Sequence, residues 1–345
     1  MKDKETVCAV VVTYNRKNLL LECLEALKKQ TKPLDAIYIV DNASTDGTPK
    51  VLFENKYIKE LPPENLDQPW EKEFKVKNLV NGKYIIIHYV RMHENTGGTG
   101  GFHEGVKRGY EKGYDWLWLM DDDAEAKEDA LGKAMQYKKI NEVAVIANLK
   151  VGIDGISQYN HRGWKKIKGI NNKVIQIIRE KDLKNKILEI DHCSFVGFIL
   201  KSEYVSVVGL PKKEMFLHFD DVECSFRIRQ YGKILLVTDS IIYHKDQLQL
   251  NLINKKFFIR NPKRKNYDSY WLAFYGLRNF VYLKRVYGNF IIAAFSGIIN
   301  ILRSIAGIIL FDDNKIKRIK MVIAAYNDGL KEIFDNERPK RILYR

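Results

Sequence analysis

Tyr114-Asp115-Trp116-Leu117-Trp118-Leu119-Met120-Asp121-Asp122-Asp123 is the stretch on which the reading of this chain turns. An aromatic and aliphatic run of strand length stops abruptly at three consecutive carboxylates. In open α/β sheets, ligands collect outside the carboxyl ends of the strands, so these acids stand where a site forms. Adjacent like charges repel, and they cost stability unless a cation or polar ligand compensates them. Hard oxygen ligands suit Mg²⁺ or Mn²⁺, ions held by one or two carboxylates plus substrate phosphates. The stretch therefore reads as a metal–diphosphate site. The competing reading is an acidic N-cap, because Ala124–Ala134 has a helical pattern and Asp favours first turns.

Working back to the start, Thr6–Thr13 is a continuous β-branched run, the mark of a central parallel strand. Tyr14-Asn15-Arg16 breaks it, and Leu19, Leu20, Cys23, Leu24 and Leu27 repeat at helical spacing to about Gln30. Asp35–Val40 is a second strand, which completes a βαβ unit and brings both strand ends to one edge. That strand ends in Asp41-Asn42, with a polar loop through Asp46-Gly47-Thr48 and a helix near Pro49–Lys59. Asp46 suits a capping role there. The pattern dissolves over Leu61–Gly82, read as a surface insertion or small hairpin, and resumes as a strand at Tyr84–Val90. Asn95–Gly105 follows, with Gly97, Gly98, Gly100, Gly101 and Gly105 allowing close approach of backbone to a ligand. It lacks a Walker ending and follows the third strand, so it is neither a P-loop nor a dinucleotide fingerprint. Taken alone it reads as a flexible loop before a helix at Val106–Lys112.

Beyond the acids, Lys127–Ile140 has a helical pattern and Val143–Leu149 is strand-like. Val151–Lys186 is polar and irregular, and strand character returns at Ile187–Leu200. Ser202 reads as the N-cap of a short helix. Phe216–Glu223 opens another helix, and Lys233–Tyr243 is a last strand ending at His244.

The chain has 345 residues, 46% of them hydrophobic and 29% charged, enough to bury a large domain plus an appendage. Four scattered cysteines without paired spacing argue against zinc and disulfide frameworks and for a reducing cytoplasm. The first strand begins almost at once, leaving no room for a signal peptide ahead of it. Net charge is +15, concentrated after Lys245 and interleaved with aromatics, which suits an anionic partner, membrane surface or nucleic acid.

Four elements now stand in order: a strand ending Thr13-Tyr14-Asn15-Arg16, a strand ending Asp41-Asn42, the triple aspartate, and Asp220-Asp221-Val222-Glu223 before a helix. With these, the sequence resembles glycosyltransferase family 2, the inverting enzymes of the GT-A fold, a Rossmann-like mixed sheet flanked by helices. The glycine loop with Phe102-His103 and the Met120–Ala124 element are more narrowly similar to the bacterial galactofuranosyl- and rhamnosyltransferase branch. The likeness covers roughly residues 6–245, with gaps at 61–83 and 150–186.

The resemblance implies a role for each motif. Asp41 holds the imide of a uracil or thymine, and Asn42 with Thr13, Tyr14, Asn15 and Arg16 lines the nucleotide pocket; Tyr14 as a mere sheet-edge residue is the alternative. Gly97, Gly98, Gly101, Phe102 and His103 approach the donor. Asp121 and Asp123 face the metal, Mn²⁺ or Mg²⁺, since alternate side chains share a face, and Asp122 turns toward donor hydroxyls. His244 matches a histidine that completes the metal site in some relatives, although a lone histidine is as often structural. Asp221 is the base that takes the acceptor proton, with Asp220 and Glu223 orienting it. A cap at Asp220 with a capping box at Glu223 is the competing account, and it leaves Asp221 unexplained.

Residues 1–245 are thus expected to form the catalytic domain and 246–345 a basic, aromatic-rich helical region. Tyr270–Phe280, with Arg278-Asn279, is similar to a C-terminal element of related sugar transferases. Asn289–Phe311 is long enough to span a bilayer, but an arginine near its centre costs about 3 kcal/mol. With Lys315, Lys317, Arg318 and Lys320 following, an interfacial helix fits better, and a bundle helix or homo-oligomer contact competes with it. The expected enzyme is a metal-dependent glycosyltransferase taking a UDP- or dTDP-linked sugar, galactofuranose, rhamnose or similar. Its acceptor is a cell-surface polysaccharide or lipid-linked glycan, reached from the cytoplasm at the inner face of the cell membrane. A nucleic-acid-binding protein would explain the tail but not the acids, and a nucleotidyltransferase would have no use for Asp221 as a base.

Overall fold

The opening β-branched run forms strand β1 (Val7–Thr13), buried along its whole length. A strand covered on both faces has no polar side, hence the unbroken apolar run. The computed structural model describes residues 5–166, 174–245, 252–254 and 263–345. In chain order come α1 (Lys17–Lys28), β2 (Ala36–Asp41), α2 (Thr48–Glu54), β3 (Trp70–Lys77), β4 (Tyr84–Arg91), α3 (Gly97–Glu111), β5 (Trp116–Asp121), β6 (Ala124–Ala126), α4 (Ala130–Met135) and β7 (Val143–Gly152). β8 (Arg162–Lys165), β9 (Ile175–Ile177), β10 (Ile187–Ile190), β11 (His192–Cys193), β12 (Phe198–Lys201), α5 (Glu203–Val208), α6 (Asp220–Ile228) and β13 (Lys233–His244) follow. Two units emerge: Met1–Trp164 with Ile177–Lys213 and Asp221–Lys245, and Lys165–Gln176 with Glu214–Asp220 and Asp246–Arg345.

The first unit is built on a ten-stranded sheet in the order β10-β13-β7-β12-β5-β1-β2-β4-β3, with β6 paired to β13. β1, β2, β4 and β5 are mutually parallel, in a register that sets Val12 opposite Asp121 and Thr13 opposite Asp41. β12 runs antiparallel between β5 and β7, and β13 is parallel to β7. The carboxyl ends of β1, β2, β5, β7 and β13 therefore share one edge, and the sequence places its acids and His244 there.

Several expectations need correction. The stretch read as a surface insertion contains β3, which pairs antiparallel with β4 and closes the sheet. α3 begins at Gly97, not Val106. Its glycines explain why: a Cβ on Gly101 would lie 2.5 Å from Val12 Cγ1, one on Gly105 2.3 Å from Val10 Cγ1, and one on Gly109 2.6 Å from Leu117 Cδ2. A glycine at every fourth position makes a flat helix face that lies directly on β1 and β5, and that packing outweighs glycine's poor helix propensity. The residues after the acids are not a helix but β6, so the N-cap reading of the triple aspartate fails. Ser202 stands at the N-cap position of α5 as expected, but its backbone is already helical and its side chain makes no cap bond.

The second unit has β14 (Leu252–Asn254), β15 (Lys263–Lys265), α7 (Leu272–Tyr287), α8 (Phe290–Phe311), α9 (Lys315–Lys331) and α10 (Arg338–Tyr344). Phe274, Tyr275, Met321, Val322, Ala325 and Leu343 form the heart of its core. Several of its arginines pair with aspartates. Arg318 is buried and pairs with Asp313, its guanidinium 4.2 Å over the Tyr270 ring, while Arg264 pairs with Asp312 and Arg338 with Asp328.

Candidate active site

The acids at the end of β5 are divided between two tasks. Asp122 turns toward β1, where Thr13 Oγ1 donates to its Oδ2 at 2.7 Å and Arg16 Nη1 stands 3.3 Å from Oδ1. The same Arg16 nitrogen reaches Asp123 Oδ2 at 3.0 Å. Asp121 and Asp123 turn the other way and meet His244, with one ligand atom from each of the three lying within 4.8 Å of the others. β6 makes that meeting possible, because its pairing sets His244 opposite Ala124, the residue after the acids. His244 Nδ1 faces Gln158 Oε1 at 3.1 Å, which leaves Nε2 on the acid side, 3.3 Å from Asp123 Oδ1. The second partner of a metal-ligating histidine is commonly of this kind.

Electrostatics separate the three carboxyls. Burial, then Asp123 and Asp122, push Asp121 up to about 7. Burial also pushes Asp122 up to about 6 against the pull of Arg16 and Thr13. For Asp123 the upward effect of burial is outweighed by His244 and Arg16, which hold it below the usual carboxylate range. Asp123 Oδ1 is buried, and the group facing it is His244 Nε2, in an ion-pair contact without good hydrogen-bond geometry. A desolvated carboxylate oxygen beside a second carboxylate and an imidazole is a donor set that fits Mg²⁺ or Mn²⁺.

Asp41, at the end of β2, is fully enclosed. Its Oδ2 accepts from Tyr89 Oη at 2.8 Å and Arg91 Nη1 at 2.7 Å, and its Oδ1 accepts from Ser44 N at 2.9 Å. In this conformation the carboxylate orders the loop after β2. Asn42 ties that loop to α3, donating to Asn95 Oδ1 and Gly97 O and accepting from Thr96 N and Oγ1. Asn15 has a positive φ of 54° and holds Thr45 N through its side-chain oxygen. Tyr14 is exposed and free to stack. Asp46 accepts from Thr48 N with Oδ1 and from Lys17 N with Oδ2, so it caps the starts of both α2 and α1.

The glycine segment is placed differently from its reading as a donor-binding loop. Gly101 lies against β1, and Phe102 is buried with its ring 4.7 Å from that of Phe195. His103 Nδ1 faces Pro211 O at 2.8 Å. Gly97 N donates to Asn95 Oδ1, and Gly98 alone of Gly97, Gly98 and Gly101 retains partial exposure.

α6 opens with Asp220 and Asp221, both nearly buried. Asp221 Oδ1 accepts from Val222 N at 2.7 Å. Burial pushes its pKa up to about 6, opposed by that amide and by the charges of Lys150 and Arg162. Arg162 is wholly buried, donating to Asn148 O, Ser194 Oγ and Val196 O. Since Gly197 N in turn donates to Leu119 O, this chain of contacts ties the Asp221 region to β5 just ahead of its acids. Glu223 is wholly buried: Arg227 Nε grips both its oxygens at 3.1 and 2.9 Å, and Lys212 stands 3.2 Å away. The same arginine anchors Val208 and Leu210 through their carbonyls. Lys150, Arg162, Arg91 and Gln158 escape the sequence reading, because a lysine or arginine in an irregular polar tract reads as solvated.

The sequence model of the family described as Glycosyl transferase family 2 matches residues 8–62 and 71–204. The chain is 26% identical over 238 residues to galactofuranosyltransferase GlfT1 of Mycolicibacterium smegmatis, spanning 67% of this chain and 68% of that protein. It is 20% identical over 250 residues to dTDP-rhamnosyl transferase RfbF of Shigella flexneri, spanning 72% and 79%. The crystal structure of GalNAc-T7 with UDP, GalNAc and Mn²⁺ matches with a TM-score of 0.51 at 17% identity, over 71% of this chain and 45% of that one, a likeness of fold.

Proposed function

This chain belongs to glycosyltransferase family 2, and from that premise we propose that it is a metal-dependent, inverting enzyme that moves galactofuranose, rhamnose or a similar sugar from a UDP- or dTDP-linked donor to a glycan hydroxyl. The donor classes follow the printed names of the relatives, a galactofuranosyltransferase and a dTDP-rhamnosyl transferase. The observation that carries the proposal is the Asp121–Asp123–His244 cluster, one ligand atom from each lying within 4.8 Å of the others.

Asp121, Asp123 and His244 would hold the cation, whose chemistry is to neutralise charge developing on the departing diphosphate. Arg16, already spanning Asp122 and Asp123, keeps the remaining negative charge balanced. Tyr14, the Asn42 loop and Gly98 border the nucleotide. Asp221 takes the proton of the acceptor hydroxyl as that oxygen attacks the anomeric carbon. The bond from that carbon to the diphosphate oxygen breaks with its electron pair going to the phosphate, and configuration inverts. A carboxylate poised near 6 is basic enough to accept the proton and still ionised at neutral pH. Asp220 adjoins it at the start of α6.

A lipid-linked or cell-surface acceptor would bring the enzyme to the inner face of the membrane. Support comes from α8, where Ala294–Phe311 has a mean hydropathy of 1.9 and is only 11% buried. Phe295 and Leu302 are more than half exposed there. The pairing of Arg264, Arg318 and Arg338 with aspartates weighs against a nucleic-acid surface.

The test is nucleotide release from a panel of UDP- and dTDP-linked sugars, with and without Mn²⁺ or Mg²⁺. Turnover that is lost on chelation and restored by either ion is expected, and metal-independent turnover would refute the proposed site.

A further inference from the structure

The polar tract beyond β7 holds the partner of His244 by a specific fold of the chain. Gly152 N donates to Ile156 O at 2.8 Å, Gly155 takes a φ of 79°, and Val151 bridges antiparallel to Ser157. Gln158 N then donates to Lys150 O at 2.8 Å, so the chain has doubled back along the end of β7. β13 runs parallel to β7 with His244 opposite Gly152, and the doubled-back chain therefore delivers Gln158 to His244. Glycine at 152 leaves the room, since a Cβ there would fall 2.5 Å from Asp154 Oδ1 and 3.3 Å from Gln158 Nε2. All of these residues belong to the first unit, as do Asp121 and Asp123.

Two contacts orient the pair. Gln158 Nε2 donates to His244 O at 3.4 Å, and Gln158 Oε1 faces His244 Nδ1 at 3.1 Å. A backbone carbonyl only accepts, so the first contact requires the amide nitrogen and turns the amide oxygen to the ring. That oxygen also only accepts, so Nδ1 is the nitrogen that carries the hydrogen. In the neutral ring Nε2 then keeps its lone pair, 3.3 Å from Asp123 Oδ1. A lone pair turned toward a carboxylate oxygen is repelled by it, whereas across a shared cation both become ligands. We propose that Gln158 is a positioning residue for the metal site: it takes the Nδ1 hydrogen of His244 and so fixes the tautomer and the turn of the ring that present Nε2 to a divalent cation. This inference rests on the reading of Asp121, Asp123 and His244 as that site.

The experiment uses the full chain with UDP present and measures Mn²⁺ affinity from the electron paramagnetic resonance signal of the free ion. With Mg²⁺ in place of Mn²⁺, the nitrogen-15 shifts of His244 report which ring nitrogen bears the hydrogen. Wild type is expected to show hydrogen on Nδ1. Gln158→Leu is expected to weaken Mn²⁺ binding about 10-fold or more and to lose that tautomer signature, whereas Gln158→Glu, which keeps an acceptor at the ring, should hold affinity close to wild type. Undiminished affinity in Gln158→Leu, no advantage of Gln158→Glu over Gln158→Leu, or hydrogen on Nε2 in the Mg²⁺-loaded wild type would each overturn the role. Should Gln158→Leu fail to fold, Gln158→Met is read in the same way. Mn²⁺ binding that survives Asp121→Ala with Asp123→Ala would sink the metal site itself, whereas binding that needs those acids and ignores Gln158→Leu would sink the Gln158 role alone.

Discussion

Asp221→Asn should make this enzyme both inactive and more stable, with the gain in stability depending on pH in a calculable way. Burial raises the carboxyl from 3.8 to about 6 even after the nearby amide, Lys150 and Arg162 have acted on it. A shift of about 2 units corresponds to about 3 kcal/mol at 1.36 kcal/mol per unit. The sign follows from linkage. Below the unfolded value both states are protonated and nothing is lost. As pH rises through the window from 3.8 to about 6, the unfolded chain releases its proton first and the native state loses stability. Above about 6 the full penalty applies. An asparagine is neutral throughout, and its carbonyl oxygen can still accept from Val222 N, so it mimics the protonated native state. Melting curves of wild type and variant at pH 8 and pH 4.5 read the difference directly. The variant should melt higher at pH 8, by a few degrees for about 3 kcal/mol in a chain of this size, and the advantage should shrink by more than half at pH 4.5. The same protein should bind UDP with Mn²⁺ normally and release no product. A variant that is less stable at pH 8, or whose advantage is independent of pH, would show that the buried carboxylate is not held at an energetic disadvantage.

Asp121→Ala combined with Asp123→Ala should abolish the Mn²⁺-dependent part of UDP binding in calorimetric titration, a loss of at least about tenfold; unchanged Mn²⁺ dependence would eliminate the cluster as a metal site. Gly105→Ala should destabilise the fold by about 1–3 kcal/mol, since its Cβ would fall 2.3 Å from Val10 Cγ1, and a melting temperature equal to wild type would contradict the helix-on-strand packing. Phe295→Glu with Leu302→Glu should weaken sedimentation with vesicles containing anionic lipid while leaving soluble turnover intact, because both side chains are exposed on α8; undiminished sedimentation would exclude that face as the contact.

Elements whose local pattern and tertiary role agree were legible beforehand. β1, β2 and β5 are buried on both faces, so a bare apolar run identifies each. The acids at the end of β5 and the face shared by Asp121 and Asp123 follow from that placement. α3 was misjudged because its glycines favour a loop locally, and only contact with Val10, Val12 and Leu117 turns them to advantage. β6 was missed because Ala124-Glu125-Ala126 has helical propensity and becomes a strand only through pairing with β13. Asp41 was assigned to the imide of a uracil or thymine, and in this structure Tyr89 and Arg91, contributed by β4, donate to its Oδ2, partners no local pattern announces. Lys150 and Arg162 gave no signal, since nothing local tells a buried cation from a solvated one.

The short ladder joining Ala124–Ala126 to Ile242–His244 also bears on how this architecture can vary. It joins the segment just after the acids to the end of the last strand of the sheet, so the imidazole reaches its carboxylates through a strand register and not through a loop. Deleting a single residue from the last turn-free stretch of β13 would rotate that imidazole to the opposite side. The geometry of the ionic cluster is thus as exact as the register of a three-residue ladder.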